Sequence, residues 1–386
     1  MNKKKVFIVC TLSILCVLLI STKVKASQYT EDAKYIENIN ILSRQIRDNA
    51  VNRNNNFSIF VKITYDKPVD TDKLNNYADK LVEKAMSEEF SNSSSSGDYL
   101  KYSWDNYKKS ITGFYDYEYY KYTYYLTITY KFKYYTTYSQ EQQLNDDISE
   151  YISRYTNKED TDLQKILKIY NYISSNVKYD KNYSDLKYSA YSAYENKTAI
   201  CQGYATLLYK MLKEAGVDDV RIIRSSSHSW NIVKIGSKYY HLDTTWEATT
   251  NKKGNYNYFL KGSNTINKLS KHKLDSEYCT KKFKKEHPIS NQDYMKVKIT
   301  NLKKLNSKKI KIKWKKNSYC DGYVIEYSTN KKFKNAKRIT VTNKKIKSKS
   351  IKNLKINKKY YIRIRTYKII QNKKNYFSWT NTSIKI

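Results

Sequence analysis

The sequence predicts an α+β protein with an all-β C-terminal region, and three patterns carry that expectation. Two amphipathic helices, one starting at Thr161 and one near Thr198 or Ala199, precede three short strand patterns at 220–224, 228–235 and 238–244. Helices that come before an antiparallel sheet, instead of alternating with its strands, belong to the α+β class. Upstream, a strand pattern at 57–63, a helical pattern from Asp70 to Phe90 and a long tyrosine-rich strand form a separate α+β region. From Ile299 onward, short alternating strands recur at the spacing of a β-sandwich.

Composition bounds the rest. The 386 residues include 73 Lys and Arg against 36 Asp and Glu, only two Pro and eight Gly, and 40% hydrophobic residues with 42 Tyr among them. That apolar content supports two or three cored domains and excludes a collagen, a repeat array or a disordered chain. Lys3, Lys4 and Lys5, the apolar run from Val6 to Ile20 and Val24-Lys25-Ala26 read as a secretory signal peptide over 1–26. The run is shorter than the ~20 residues that span a bilayer. Cys16 follows Ser-Ile-Leu with no small residue before it, which argues against a lipid anchor, so a secreted, released or loosely wall-held protein is expected. Cys10 and Cys16 leave with the signal; Cys201, Cys279 and Cys320 remain, an odd number that leaves at least one thiol free.

The elements follow in chain order. FSIFVKI at 57–63 is a strand, and from Asp70 or Thr71 the residues Leu74, Tyr77, Ala78, Leu81, Val82 and Ala85 recur at helical steps. Ser91 to Ser96 is a loop, and 14 Tyr follow between Tyr99 and Tyr138. Tyr122, Tyr124, Leu126, Ile128, Tyr130, Phe132 and Tyr134 alternate with other residues as in a half-buried strand, and packing accounts for them better than glycan or nucleic-acid stacking. Thr161 with Gln164 forms a capping box ahead of Leu163, Ile166, Leu167, Tyr170, Ile173 and Val177. The next helix ends at Ala215 before Gly216 and carries Cys201 in its first turn.

A thiol there sits where the helix dipole and free backbone N–H groups favour the thiolate. Catalysis also needs a base and a group that orients it. With Gly236-Ser237 as a two-residue hairpin loop, Ile235 pairs with Lys238, Ile232 with His241 and Trp230 with Asp243. His228 then lies diagonal to Asp243, about 7 Å away at the backbone, a gap an imidazole and a carboxylate can close. His241 is the rival base, though it shares a strand with Asp243. Trp230 and Trp246 are expected as cleft walls, and His272 and His287 as structural residues. The scattered Cys and His show no metal-ligand spacing, so neither metal nor cofactor is expected.

CQGYA at 201–205, HSWNIV at 228–233 and YYHLDTTW at 239–246, with 26 and 14 residues separating Cys201, His228 and Asp243, resemble the three core motifs of the transglutaminase-like superfamily, a circularly rearranged relative of papain. The resemblance covers 160–290 and extends more weakly over 27–160 to exported bacterial proteins. It implies Cys201 as nucleophile, His228 as general base and acid, and Asp243 as the residue that orients the imidazole. It also implies thiolate attack on a protein or peptide amide to give a thioester. Gly203-Tyr204 after the nucleophile, and the lack of calcium-site loops, depart from the eukaryotic cross-linking enzymes. Peptidase and transamidase therefore both stay open, as does an inert surface binding protein.

The charge is uneven: residues 27–250 hold 29 basic and 30 acidic side chains, whereas 291–386 hold 29 basic and 3 acidic. A field of that size concentrates polyanions, and for an exported protein those are wall teichoic acids, anionic lipid or extracellular nucleic acid. Anionic cell-wall polymers of a Gram-positive bacterium are the expected partner and no specific nucleic acid is, the alternative being a merely solvated lysine coat. Trp314, Gly322-Tyr323, and Leu354 followed by Tyr360, Ile362 and Ile364 resemble a fibronectin type III domain, with Tyr360 at its tyrosine corner. The expected organisation is a signal peptide at 1–26, an α+β region at 27–155, the transglutaminase-like domain at 156–290 and the basic sandwich at 291–386, as a monomer.

Overall fold

The computed structural model describes residues 6–10, 35–87, 97–182, 184–250, 256–269, 271–370 and 372–386. The Ser91–Ser96 loop and most of the expected signal segment lie outside the described residues. The chain divides into two compact units, 1–150 with 183–196, and 151–182 with 197–386.

In the first unit the elements are β1 (Val6–Cys10), α1 (Ile39–Val51), β2 (Asn56–Tyr65), α2 (Thr71–Ala85), α3 (Asp98–Lys101), β3 (Trp104–Glu118), β4 (Lys121–Tyr134) and α4 (Tyr138–Tyr155), the last running on into the second unit. The strands form one sheet in the order β1-β3-β4-β2. Asp70 caps α2 by accepting from the Lys73 N–H at 2.8 Å. The helix stops at Ala85, short of the expected Phe90.

The tyrosine-rich strand packs as its period demands. Tyr124, Leu126, Ile128, Tyr130 and Phe132 are buried against Leu42 and Ile46 of α1 and Leu74, Ala78 and Leu81 of α2. Even the polar ends of these tyrosines are used: the Tyr130 hydroxyl donates to the Ala78 carbonyl at 2.9 Å, and the Val69 N–H donates to the Tyr124 hydroxyl at 3.0 Å. Helix α4 is absent from the sequence reading because its apolar stripe is thin. It buries Leu144, Ile148 and Ile152, together with the carboxylate of Glu141, which accepts from Tyr99 and Thr136 and pairs with Arg53 at 3.0 Å.

The second unit contains α5 (Asp162–Asn176), β5 (Lys178–Tyr179), β6 (Thr198–Ala199), α6 (Cys201–Glu214), β7 (Val220–Ser225), β8 (His228–Ile235), β9 (Lys238–Leu242) and α7 (Thr244–Thr249). The capping box of Thr161 and Gln164 opens α5. Every residue of α6 from Gln202 to Leu212 is buried, so this helix is the axis of the domain. It lies against α5 and the antiparallel sheet β7-β8-β9, while the parallel pair β5-β6 fixes the chain just before Cys201. The β8–β9 register pairs Ile235 with Lys238 and Ile232 with His241 around Gly236, whose φ of +63° suits the two-residue turn.

The C-terminal strands are β10 (Ile299–Asn306), β11 (Lys309–Trp314), β12 (Gly322–Ser328), β13 (Lys337–Val341), β14 (Ser348–Ile351), β15 (Lys359–Ile370), β16 (Lys373–Tyr376) and β17 (Thr380–Lys385). They form one sheet, β10-β11-β14, and a second, β13-β12-β15-β16, in which β17 also pairs with β15. Ile310, Ile312, Trp314, Tyr323, Ile325, Ile362 and Ile364 are buried. The Lys355 N–H donates to the Tyr360 hydroxyl at 2.9 Å, the bond of a tyrosine corner. On the outside, Arg363 lies between the rings of Phe333 and Trp379, and Arg365 between those of Trp379 and Tyr376.

This β module is seated on the helical part of its unit. Phe377 packs on Tyr256 at 5.1 Å and on Phe259 at 5.9 Å, and Phe259 packs on Tyr170 of α5 at 4.9 Å. The buried Lys261 donates from Nζ to the Ser378 hydroxyl at 2.6 Å, and the Thr366 hydroxyl donates to the Met295 carbonyl at 2.7 Å. Gly262 permits the approach of the connecting segment, because a Cβ there would meet the backbone of Asn291 and Gln292 at 2.5 Å. Removing the central ring tests this seat. Phe377→Ala leaves a cavity at a 2%-exposed position and is expected to cost about 3–5 kcal/mol in urea denaturation. Cys201 should become reactive at correspondingly lower urea, whereas a β module that merely hangs from the domain would leave Cys201 unaffected.

Candidate functional site

Helix α6 begins at Cys201. Its cap residue, Ile200, makes no side-chain cap bond. His228 opens β8, pairing with Ser225 at the end of β7. Asp243 stands one residue beyond β9, and here the structure corrects the expectation of a strand to 244. The strand ends at Leu242, and Asp243 is the N-cap of α7, its Oδ1 accepting the Trp246 N–H at 2.9 Å. An aspartate three residues ahead of an amide it can cap ends the strand, because the short helix satisfies donors that a continued ladder would not.

The three candidate residues meet. The ring of His228 places Nε2 2.8 Å from Asp243 Oδ2, and the same imidazole is within hydrogen-bonding reach of Cys201, as is the Ser229 backbone. Burial opposes ionisation of the Cys201 thiol, but the hydrogen bond and charge of His228 and the Ser229 bond outweigh it, and the pKa is lowered. Burial likewise disfavours the imidazolium of His228, yet its bonds to Asp243 and Cys201 raise the pKa to about 9. Burial works against the Asp243 carboxylate as well, and its bonds from His228 and His272 hold it at about 2. The arrangement favours a thiolate–imidazolium pair backed by a carboxylate.

The rival base is elsewhere. His241 is 1% exposed, with Nδ1 accepting from Trp230 Nε1 at 3.0 Å, and burial depresses its pKa to about 3. Trp230 is also 1% exposed; it backs His228, ring on ring at 5.6 Å, instead of lining an open cleft. Trp246, partly exposed, is tilted against His228 at 5.9 Å. His287 is structural as expected, stacked on Phe283 at 4.4 Å with Nε2 2.9 Å from Arg221.

His272, expected to be structural, sits within the site: it is fully buried with Nε2 2.8 Å from Asp243 Oδ2, the oxygen that also faces His228. No register links a residue 29 positions beyond Asp243 to the hairpin, so sequence reasoning had nothing to place it by. Two bonds of its loop do so: the Ser225 hydroxyl donates to the Lys271 carbonyl at 2.7 Å, and the Asp275 N–H donates to the Arg224 carbonyl at 3.0 Å. They lay residues 271–275 along the end of β7, beside His228.

Among the described residues, His228, Asp243 and His272 form a group whose ligand atoms lie within 4.8 Å of one another, as a metal site would require. Both Nε2 atoms, however, sit at hydrogen-bond distance from the same carboxylate oxygen. A cation bound there would have to displace both shared protons.

Comparison with known proteins follows this geometry. Residues 149–244 match the family model of the Transglutaminase-like superfamily. Cys201, His228 and Asp243 fall within that span and His272 outside it. No curated protein matches the chain. Among solved structures, the FN3 domain of human collagen XX is similar over 23% of this chain and 91% of its own, at 13% identity and a TM-score of 0.19. The chicken CNTN1 FN1–FN3 domains are similar over 23% of this chain and 29% of theirs, at 25% identity and a TM-score of 0.20. The chain thus carries a region, 149–244, similar to the Transglutaminase-like superfamily, within a mixed α and β protein.

Proposed function

We propose that this protein is a cysteine acyltransferase or hydrolase that attacks protein or peptide amides through Cys201, His228 and Asp243. One observation carries the reading: the thiol at the start of α6 lies within reach of an imidazole whose Nε2 is 2.8 Å from a buried carboxylate. The Cys201 thiolate adds to the amide carbonyl carbon. His228 gives its proton to the departing nitrogen as the C–N bond breaks, and a thioester to Sγ remains. Water or an amine then attacks that thioester while His228 takes the incoming proton, the C–S bond breaks and the thiolate returns.

The protein is exported through residues 1–26 and works as a monomer at an anionic wall surface to which residues 291–386 hold it. Support for the last point comes from charge left over after internal pairing. This module has 29 basic and 3 acidic side chains. Asp293 accepts from the Gly262 N–H, Asp321 from the Ile369 N–H, and Glu326 is clasped by Arg338 and Arg363. The acids are spent on internal partners within the module or at its seat, and nearly all the module's lysines are exposed.

Three outcomes are expected. Incubated with a labelled primary amine and a mixed pool of Gln-containing proteins, the wild type incorporates label or shortens peptides, and Cys201→Ala does neither. Identical behaviour of the two proteins would leave a surface-binding role instead. His228→Ala should lose about 10²–10⁴-fold in turnover. The rate profile should be bell-shaped: it falls on the acid side as the thiolate is protonated, below the ordinary thiol range, and on the alkaline side as His228 loses its proton near pH 9. Adhesion of full-length protein to isolated walls should drop steeply between roughly 50 and 200 mM salt; salt-indifferent adhesion contradicts the electrostatic tether.

A further inference from the structure

We infer that His272 is a positioning residue of this site: a second imidazole that, together with the Trp246 amide, clamps the Asp243 carboxylate so that it holds His228 in line with Cys201. The inference rests on the proposed thiol chemistry and extends it to a residue outside the span that matches the Transglutaminase-like superfamily.

The geometry is specific. Oδ1 of Asp243 accepts the Trp246 N–H at 2.9 Å, and Oδ2 faces both His228 Nε2 and His272 Nε2, each at 2.8 Å. The side chains of Asp243 and His272 are fully buried and that of His228 nearly so. A carboxylate oxygen only accepts, so the His272 nitrogen that faces it carries the ring proton. His272 Nδ1 has no hydrogen-bond partner among the described residues, which leaves the bond to Asp243 as the one polar contact of this ring. The ring is wedged at 4.7 Å against both Trp230 and Trp246 and at 5.0 Å against His228. A buried histidine kept only for packing would be replaceable by an apolar ring. This one has its single polar contact aimed at the carboxylate that orients the candidate base.

The mechanical consequence is that Asp243 cannot rotate about its Cβ–Cγ bond without breaking bonds on both oxygens. With His272 gone, only the His228 bond itself remains on Oδ2, so the imidazole would be held by a carboxylate that it must itself position. The ionisable groups around Asp243 are Cys201 and Tyr204 from α6, Tyr170 from α5, His241 from β9, Glu247 from α7, and Tyr258. None of these donates a side-chain hydrogen bond to Oδ2 in place of His272 among the bonds described for that oxygen.

Alkylation of Cys201 by iodoacetamide as a function of pH tests the inference in the full-length protein without any substrate. His272→Phe keeps a ring in the wedge and removes the donor. It is expected to slow alkylation on the thiolate plateau and turnover roughly 10- to 100-fold, with KM within about twofold, and to move the alkylation midpoint. His272→Gln returns an N–H near the same place and should recover most of that loss at equal thermal stability, which a purely structural role would not produce. If His272→Phe does not fold, His272→Met carries the same comparison with His272→Gln. Two results overturn different claims. A wild-type Cys201 that alkylates only in the ordinary thiol range removes the enzyme reading itself. A wild type that alkylates below that range, with the profile and turnover of folded His272→Phe or His272→Met unchanged, removes the role of His272.

Discussion

A carboxylate with no access to water has to be satisfied from within the protein, and the second unit is organised around that requirement at Asp243. Its Oδ1 is taken by the start of α7, and its Oδ2 by two imidazoles. Its carbonyl lies 3.1 Å from the Tyr170 hydroxyl of α5, and its N–H donates to the Tyr258 carbonyl at 3.1 Å. Five separate stretches of chain converge on one residue. Leaving any of those groups unpaired would cost more than an ordinary surface bond contributes. The thiol then needs only to be delivered to the open side of His228, and α6, buried from Gln202 to Leu212, does that by beginning just beyond the end of β6.

Three cysteines in one chain show how far surroundings, and not residue type, decide thiol chemistry. Cys279 is exposed and Cys320 buried, and neither is in a disulfide. Burial pushes the Cys320 thiol up, as it does for any thiol taken out of water without a cationic partner. Cys201 is also largely out of water, yet the neighbouring imidazole reverses the sign. The difference is the start of β8, the His228 imidazole and the Ser229 backbone, placed by a hairpin register.

That register was legible because a two-residue turn at Gly236-Ser237 admits one pairing, and the alternation of β8 and β9 agrees with it. Helix α6 was legible from its apolar spacing and the glycine at 216, and the long β4 from its period of two. Asp243 was placed correctly in space but wrongly in kind. A cap and a strand end look alike in sequence when the capping residue follows an apolar run directly. His272 was illegible for a different reason: its position depends on loop bonds to Arg224 and Ser225, which no local pattern encodes. Helix α4 was hidden because much of its buried face is polar, a Glu141 held by Arg53, Tyr99 and Thr136.

The stack from Phe377 through Phe259 to Tyr170 gives the basic module a geometry as well as a charge. A module on a flexible tether would let the site sweep a volume set by linker length. One bolted on by aromatic packing and the Lys261–Ser378 bond instead fixes the heading of Cys201 relative to the face that carries the module's lysines. Under the proposed tether, the amides such a protein meets are those at a set height and angle above the surface, so its choice of target becomes partly a matter of standoff. Homologous modules could not be exchanged freely, because residues 256–261 form a moulded seat for this particular one.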